Sequence, residues 1–141
     1  MASVVLAEGN PHVIAGKETA SQTFDKGDLV YFDTSGTVAV ATAGAINAIA
    51  MKDASGTTNA TIPIDLIDPN NTYIANYKSA SATQTLAGDI LDFTFTIGAH
   101  TLDESGATTD VYCVGLADPG DATSARLLVK FLGALMTGAG T

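Results

Sequence analysis

The chain consists of short hydrophobic runs separated by turn-forming residues, at a spacing of roughly ten residues that is typical of all-β domains. In the clearest run, Leu91, Phe93, Phe95 and Ile97 alternate with other residues. Strict alternation is typical of a strand with one buried face. Residues 91–97 are therefore predicted to form a strand that contributes to the core.

Similar runs predict further strands at residues 29–32, 38–40, 45–51, 62–66, 73–77, 111–116 and 126–132. Pro63 predicts that its strand lies at a sheet edge or contains a bulge, because proline has no amide hydrogen to donate. No segment has a convincing 3.6-residue period. The pattern predicts an all-β fold, either a single small β-barrel or β-tulip, or a jelly-roll-like sandwich.

Two segments nearly repeat each other, Gly27-Asp28-Leu29-Val30 and Gly88-Asp89-Ile90-Leu91. Glycine accepts a positive φ at a turn, and aspartate can bond the turning backbone. We therefore interpret both segments as turns that enter strands, and both aspartates as turn-forming residues rather than site residues.

Residues 1–22 have little periodicity and are interrupted early by Gly9, Asn10 and Pro11. They are predicted to form an extended N-terminal arm that precedes a β domain at residues 23–141. Such an arm can simply fray, or it can dock on a neighbouring subunit with residues 4–6 as its apolar anchor.

Fifteen acidic residues against six basic ones give a net charge of −9. The chain has no basic cluster with which to neutralise phosphates, so nucleic acid and anionic membrane surfaces are not expected partners. The N-terminus has no basic region followed by a long apolar run, and no segment has the roughly 18 apolar residues of a membrane span. We expect a product made in the cytoplasm.

Candidate chemistry is sparse. His12 and His100 have no metal ligands at suitable spacing, and no phosphate-binding glycine loop is present. Paired carboxylates flank turns, with residues 65–71 the first place to look for an ion. Cys113 lies in an apolar run and is predicted to be a core thiol. The sequence predicts no catalytic residue, metal or cofactor, and hence no enzyme.

Four segments, at residues 24–33, 36–38, 48–54 and 126–131, resemble the capsid decoration (cement) proteins of tailed bacteriophages. The resemblance implies a β-barrel or β-tulip on the outer surface of an icosahedral virion, where it clamps adjacent subunits of the major capsid protein. It also implies self-association, with a homotrimer favoured and a dimer possible.

Under this resemblance, the arm would contact the capsid or a neighbouring copy through Val4, Val5, Leu6, Pro11 and His12. Leu132, Leu135 and Met136 are candidates for a subunit contact, although core membership explains them equally well. Other virion subunits remain open as alternatives, namely a tail-tube, head-fibre or spike protein. A small β-barrel enzyme that uses the acidic turns around Asp65 and Asp68 is the less favoured alternative.

Overall fold

The computed structural model describes residues 3–19, 22–41, 46–79, 82–83, 86–95, 99–104, 110–118 and 123–132. The strands in these ranges are β1 (Val4–Glu8), β2 (Val13–Glu18), β3 (Leu29–Phe32), β4 (Thr37–Val40), β5 (Ala48–Ala50), β6 (Thr61–Leu66), β7 (Thr72–Asn76), β8 (Ala82–Thr83), β9 (Ile90–Thr94), β10 (Thr101–Asp103), β11 (Val111–Leu116), β12 (Thr123–Ser124) and β13 (Arg126–Phe131). Within these ranges no helix has the length and apolar character needed to cross a membrane. The predicted all-β class is confirmed.

Five strands close into a barrel in the order β2-β4-β3-β5-β6. All neighbouring pairs are antiparallel except β2 and β4, which run parallel with Lys17 opposite Thr37. Six further strands form a sheet in the order β1-β7-β13-β11-β9-β10, and β8 pairs with β12. The structure therefore combines a barrel with a second, open sheet.

The alternating side chains of β3 and β5 connect the core of the barrel with the core under the six-stranded sheet. Val30 and Ala48 point into the barrel, where they pack in a cluster with Phe24, Val38, Ala50, Ile62 and Ile64. Leu29 and Ile49 point the opposite way and join a larger cluster formed by the inner face of the six-stranded sheet. Successive strand residues face opposite sides, so β3 and β5 contribute to both cores at once.

The two Gly-Asp segments form the same local structure, which confirms the predicted turns. Gly27 has φ 90° and Gly88 has φ 93°, values that favour glycine. In each turn the aspartate amide donates to the carbonyl three residues earlier. Each turn also exchanges two backbone hydrogen bonds with one residue of another strand, Ala50 in β5 or Cys113 in β11. One turn thus enters the barrel strand β3 and the other enters β9 of the open sheet.

The N-terminal segment differs from the separate arm that the sequence predicts. Its described residues are extended, but β1 pairs along β7 and β2 pairs with both β6 and β4 of the same chain. The boundary at residue 22 therefore does not separate an arm from the β domain. The physical reason is that the barrel closes only through β2, whose backbone groups find partners on both sides.

Pro63 is also placed differently from the prediction of an edge strand or bulge. Its strand, β6, is paired on both sides, by β2 and β5. The Pro63 carbonyl accepts from the Met51 amide, one residue beyond the end of β5. The missing amide hydrogen of Pro63 faces the same side, at the end of the β5–β6 ladder, so the proline gives up only the reciprocal bond that the Met51 carbonyl would accept.

Candidate functional site

An apolar groove of about 290 Å³ lies where β1 passes the barrel. One wall is formed by β1 and Pro11, and the other by the turn at Gly27 and the end of β5. The residues that line it are Val4, Val5, Leu6, Pro11, Lys26, Gly27, Ile49, Ala50, Met51 and Asp65. Apart from Lys26 and Asp65 these residues carry no charge, so the groove favours an apolar occupant.

One backbone edge of β1 faces this groove. The Val4 amide donates to the Gly27 carbonyl, 3.0 Å away, and therefore points away from β7. Backbone direction alternates along a strand, so the amide and carbonyl of Leu6 also point away from β7. Beyond the Val4 contact, the edge can receive backbone hydrogen bonds from an added extended segment.

The structure brings together four of the five residues that the sequence assigned to the arm. Val5 and Pro11 are exposed in the groove, and Leu6 is half-buried. Val4 is buried in the core, because its side chain points to the inner face of the six-stranded sheet. Val4 therefore anchors β1 to its own chain and presents little surface to a partner.

His12, the fifth arm residue, lies beside the groove rather than in it. Its backbone amide donates to Asp65 Oδ1 at 2.8 Å, and its Nε2 lies 3.2 Å from Asp68 Oδ2. The Asn70 amide donates to Asp68 Oδ1 at 2.8 Å, and this bond is the main reason that the pKa of Asp68 lies below its usual value. These contacts are those of a capped turn, and no group of three metal-ligating side chains occurs in the described ranges.

A buried polar cluster formed by Ser3, Asp28 and His100 lies behind β1. Ser3 Oγ donates to Asp28 Oδ1 at 2.9 Å and accepts from the His100 backbone amide at 3.0 Å. All three residues are almost fully buried. The serine hydroxyl is bonded to the carboxylate and not to the imidazole, so the cluster lacks the serine–histidine hydrogen bond of a nucleophile activated by a base. Its evident role is to hold the N-terminus against the β3 turn.

The protonation state of His100 follows from its neighbours. Nδ1 accepts from the Leu29 amide at 3.3 Å, so a neutral ring carries its proton on Nε2. Nε2 has no hydrogen-bond partner and lies 3.9 Å from Asp28 Oδ1. Burial lowers the pKa of His100 below its usual value, and the nearby Asp28 charge only partly opposes the shift. Phe95 packs edge-on against the ring, with centroids 5.4 Å apart.

Glu18 provides a second buried carboxylate, at one end of the barrel. Its two oxygens accept from the amides of Ser55 at 2.9 Å and Gly56 at 3.1 Å. The side chain is almost fully buried. Glu18 therefore fixes the loop that follows β5, which is a structural role.

The remaining candidates are also held by structural contacts. Asp103 and Glu104 form ion pairs with Lys78 at the surface. Cys113 is buried, as predicted, and burial raises the pKa of its thiol. Leu132 is half-buried and its amide donates to the Asp110 carbonyl at 3.1 Å, whereas Leu135 and Met136 lie outside the described residues.

The sequence analysis missed two sets of residues at this site. Met51, Ile49 and Lys26 line the groove from the barrel side, and no local pattern relates them to β1. Ser3 and His100 meet Asp28 although they are 97 residues apart in the chain. The only available signal was the Gly27-Asp28 turn, which marks the point where β1, β3 and β5 meet.

Compared with protein-family models, curated proteins and solved structures, the chain gives no significant match.

Proposed function

We propose that this protein binds the outside of an icosahedral phage capsid and stabilises the shell by clamping adjacent subunits of the major capsid protein. The sequence resemblance to capsid decoration proteins motivates the proposal. The observation that carries it is the groove, which places Val5, Leu6 and Pro11 in one apolar surface with Met51. An exposed apolar groove with few charges is suited to a protein partner.

An extended capsid segment fits this groove in two ways. Its backbone can pair with the edge of β1 at Leu6, and one of its apolar side chains can fill the space between Pro11 and Met51. Burial of one such side chain contributes about 1.5–3 kcal/mol. A protein that binds only the assembled shell stabilises it by mass action at every occupied site, and multivalent attachment strengthens the effect.

The decisive experiment is co-sedimentation of purified protein with expanded, empty capsids of the phage that encodes it. The wild-type chain is expected to pellet with capsids, and gold-labelled protein should coat heads rather than tails in electron micrographs. Labelled tails would favour the alternative of another virion subunit. A wild-type chain that stays in the supernatant would refute the proposal.

A pair of substitutions tests the groove. Met51→Lys places a charge in the groove at a side chain that is 38% exposed, and should weaken capsid binding by about 10-fold or more. Val13→Lys is the matched control, because Val13 is 52% exposed on the barrel strand β2 and does not line the groove. Equal binding by the two variants would exclude the groove as the contact. Deletion of residues 1–15 is not a useful test, because it removes β1 and half of β2 and should unfold the protein.

A further inference from the structure

The side of the six-stranded sheet that faces away from the barrel, here called the outer sheet face, carries a band of apolar side chains. Four of the six large hydrophobic residues that are exposed in the described ranges lie on it. The band comprises Val5, Ile74, Leu128, Val114, Tyr112 and Ile90. Antiparallel sheets with one solvated face normally alternate apolar and polar residues, so this face is unusually apolar for one that contacts water.

Strand register makes the band continuous. Val5 pairs with Ile74, and Ile74 pairs in turn with Leu128. Leu128 is opposite Gly115, next to the bulge that contains Val114. Tyr112, on the same strand as Val114, pairs with Ile90. The band therefore crosses five strands, from β1 to β9.

The three central strands of this face carry no acidic residue, whereas the outer strands of the band, β1 and β9, carry Glu8 and Asp92. The chain carries a net charge of −9, yet β7, β11 and β13 contain no Asp or Glu. The two cationic side chains of β13 already interact within the chain. Lys130 donates to the Asn70 carbonyl at 3.1 Å, and Arg126 is half-buried and also has an interaction partner. The centre of the outer sheet face is thus where two copies of this acidic chain repel each other least.

We propose that the outer sheet face is a self-association surface, on which a second copy of the chain packs face to face across a two-fold axis. Two antiparallel sheets can pack face to face, and such faces lie about 10 Å apart in β-sandwiches. The partner is another copy of the chain and not the capsid. The band shares Val5 with the groove but no other residue, so the two proposals can fail separately.

The size of the face predicts a weak dimer. Five strands about 4.8 Å apart, each contributing a few residues of about 3.3 Å rise, cover a footprint of about 400 Å². Standard interfaces bury about 800 Å² on each partner, and smaller ones are typical of weak association. The acidic surfaces around the face repel each other, so salt should strengthen the dimer by screening them.

Sedimentation equilibrium of the purified full chain tests the proposal, over protein concentrations from about 10 μM to 1 mM and at about 50 mM and 300 mM NaCl. The expected result is a monomer–dimer equilibrium that shifts toward dimer at the higher salt concentration. Val114→Lys should weaken the dimer at least about tenfold, because it buries a charge in the apolar band. Val114 is 43% exposed in a bulge, and Ile90→Lys provides a second variant in case the first does not fold.

Val13→Lys is the control and should dimerise like the wild-type chain, while circular dichroism verifies that all the variants are folded. A monomer at every concentration overturns the proposal. So does a trimer, because face-to-face packing across a two-fold axis pairs two copies. A dimer that Val114→Lys and Ile90→Lys leave intact overturns it as well, because the contact must then lie elsewhere.

Discussion

Replacement of Gly16 by alanine should destabilise the barrel through a steric clash rather than through backbone strain. Gly16 lies in β2 opposite Ile62 and is buried. A Cβ atom added there would lie 2.4 Å from Val38 Cγ2 and 3.3 Å from Phe32 Cδ1. Carbon atoms pack best about 3.5–4.0 Å apart, so Val38 must move by more than an ångström or β2 must shift.

Two effects of opposite sign determine how much Gly16→Ala changes the free energy of unfolding. Overpacking of a filled core costs about 1–3 kcal/mol. The substitution also restricts the unfolded chain, which stabilises the folded state by about 0.4–1 kcal/mol. We therefore expect the free energy of unfolding to fall by about 1–2 kcal/mol, which in a chain of this length lowers the Tm by roughly 3–8 °C.

A double-mutant cycle with Val38→Ala, measured by urea denaturation, isolates the clash. Val38→Ala alone should cost about 2 kcal/mol, because it removes two buried methyl groups. In the double variant the new Cβ occupies the vacated space, so its loss should be smaller than the sum of the single losses by about 1 kcal/mol or more. A stabilising Gly16→Ala, or strictly additive losses, would show that the barrel is not tightly packed at this point.

Two further predictions concern the buried polar groups. The pKa of His100 is lower in the folded protein than in the unfolded chain, so protons bind the unfolded chain more readily. The stability that depends on a neutral His100 ring is therefore complete above a pH of about 6.5 and is lost as the pH falls through the folded pKa. Urea denaturation between pH 7.5 and 5.5 should show this loss. His100→Asn, which keeps an acceptor for the Leu29 amide, should reduce the slope of the free energy of unfolding against pH. An unchanged slope would assign the pH dependence to other groups. Glu18→Gln should lower the free energy of unfolding by about 1.5–3 kcal/mol, because one charge-assisted acceptor becomes an amide donor facing a backbone amide. Faster hydrogen exchange at Ser55 and Gly56 should accompany this loss, and unchanged exchange at both amides would contradict the anchoring role of Glu18.

The strands that the sequence predicted well are those with strong local signals. Residues 111–116 coincide with β11, and residues 29–32 coincide with β3. In both, hydrophobic side chains that favour strands adjoin clear turn residues, so the local pattern and the final packing agree. The Gly-Asp turns belong to the same class, because a positive φ at glycine is a property of the turn itself.

The strands that were missed depend on pairing partners elsewhere in the chain. β2 begins with apolar residues and ends with Gly16, Lys17 and Glu18, without strict alternation. It is a strand because β6 and β4 supply hydrogen bonds on both of its sides. β10 has only three residues and pairs with β9. Short or irregularly patterned strands of this kind carry little hydrophobic periodicity, so their sequence could not distinguish a strand from a loop.

The candidate groove was predictable in part. The sequence selected Val5 and Leu6 because they belong to an apolar run that suggested an anchor, and Pro11 as a further residue of the predicted arm. It could not connect Met51 or Asp65 with these residues, because both reach the groove only through the closure of the barrel. It also predicted that the N-terminal segment is an arm separate from the β domain, whereas Val4 is buried in the chain's own core.

The sequence by itself determined an all-β chain with strand-entering turns at Gly27 and Gly88, because alternation and turn chemistry act between neighbouring residues. Only the tertiary structure decided that residues 4–18 complete two sheets, that Ser3, Asp28 and His100 meet in one buried cluster, and that an apolar band crosses the outer sheet face. These features arise from contacts between distant segments, whose free energy depends on which strand edges and side chains the whole fold brings together.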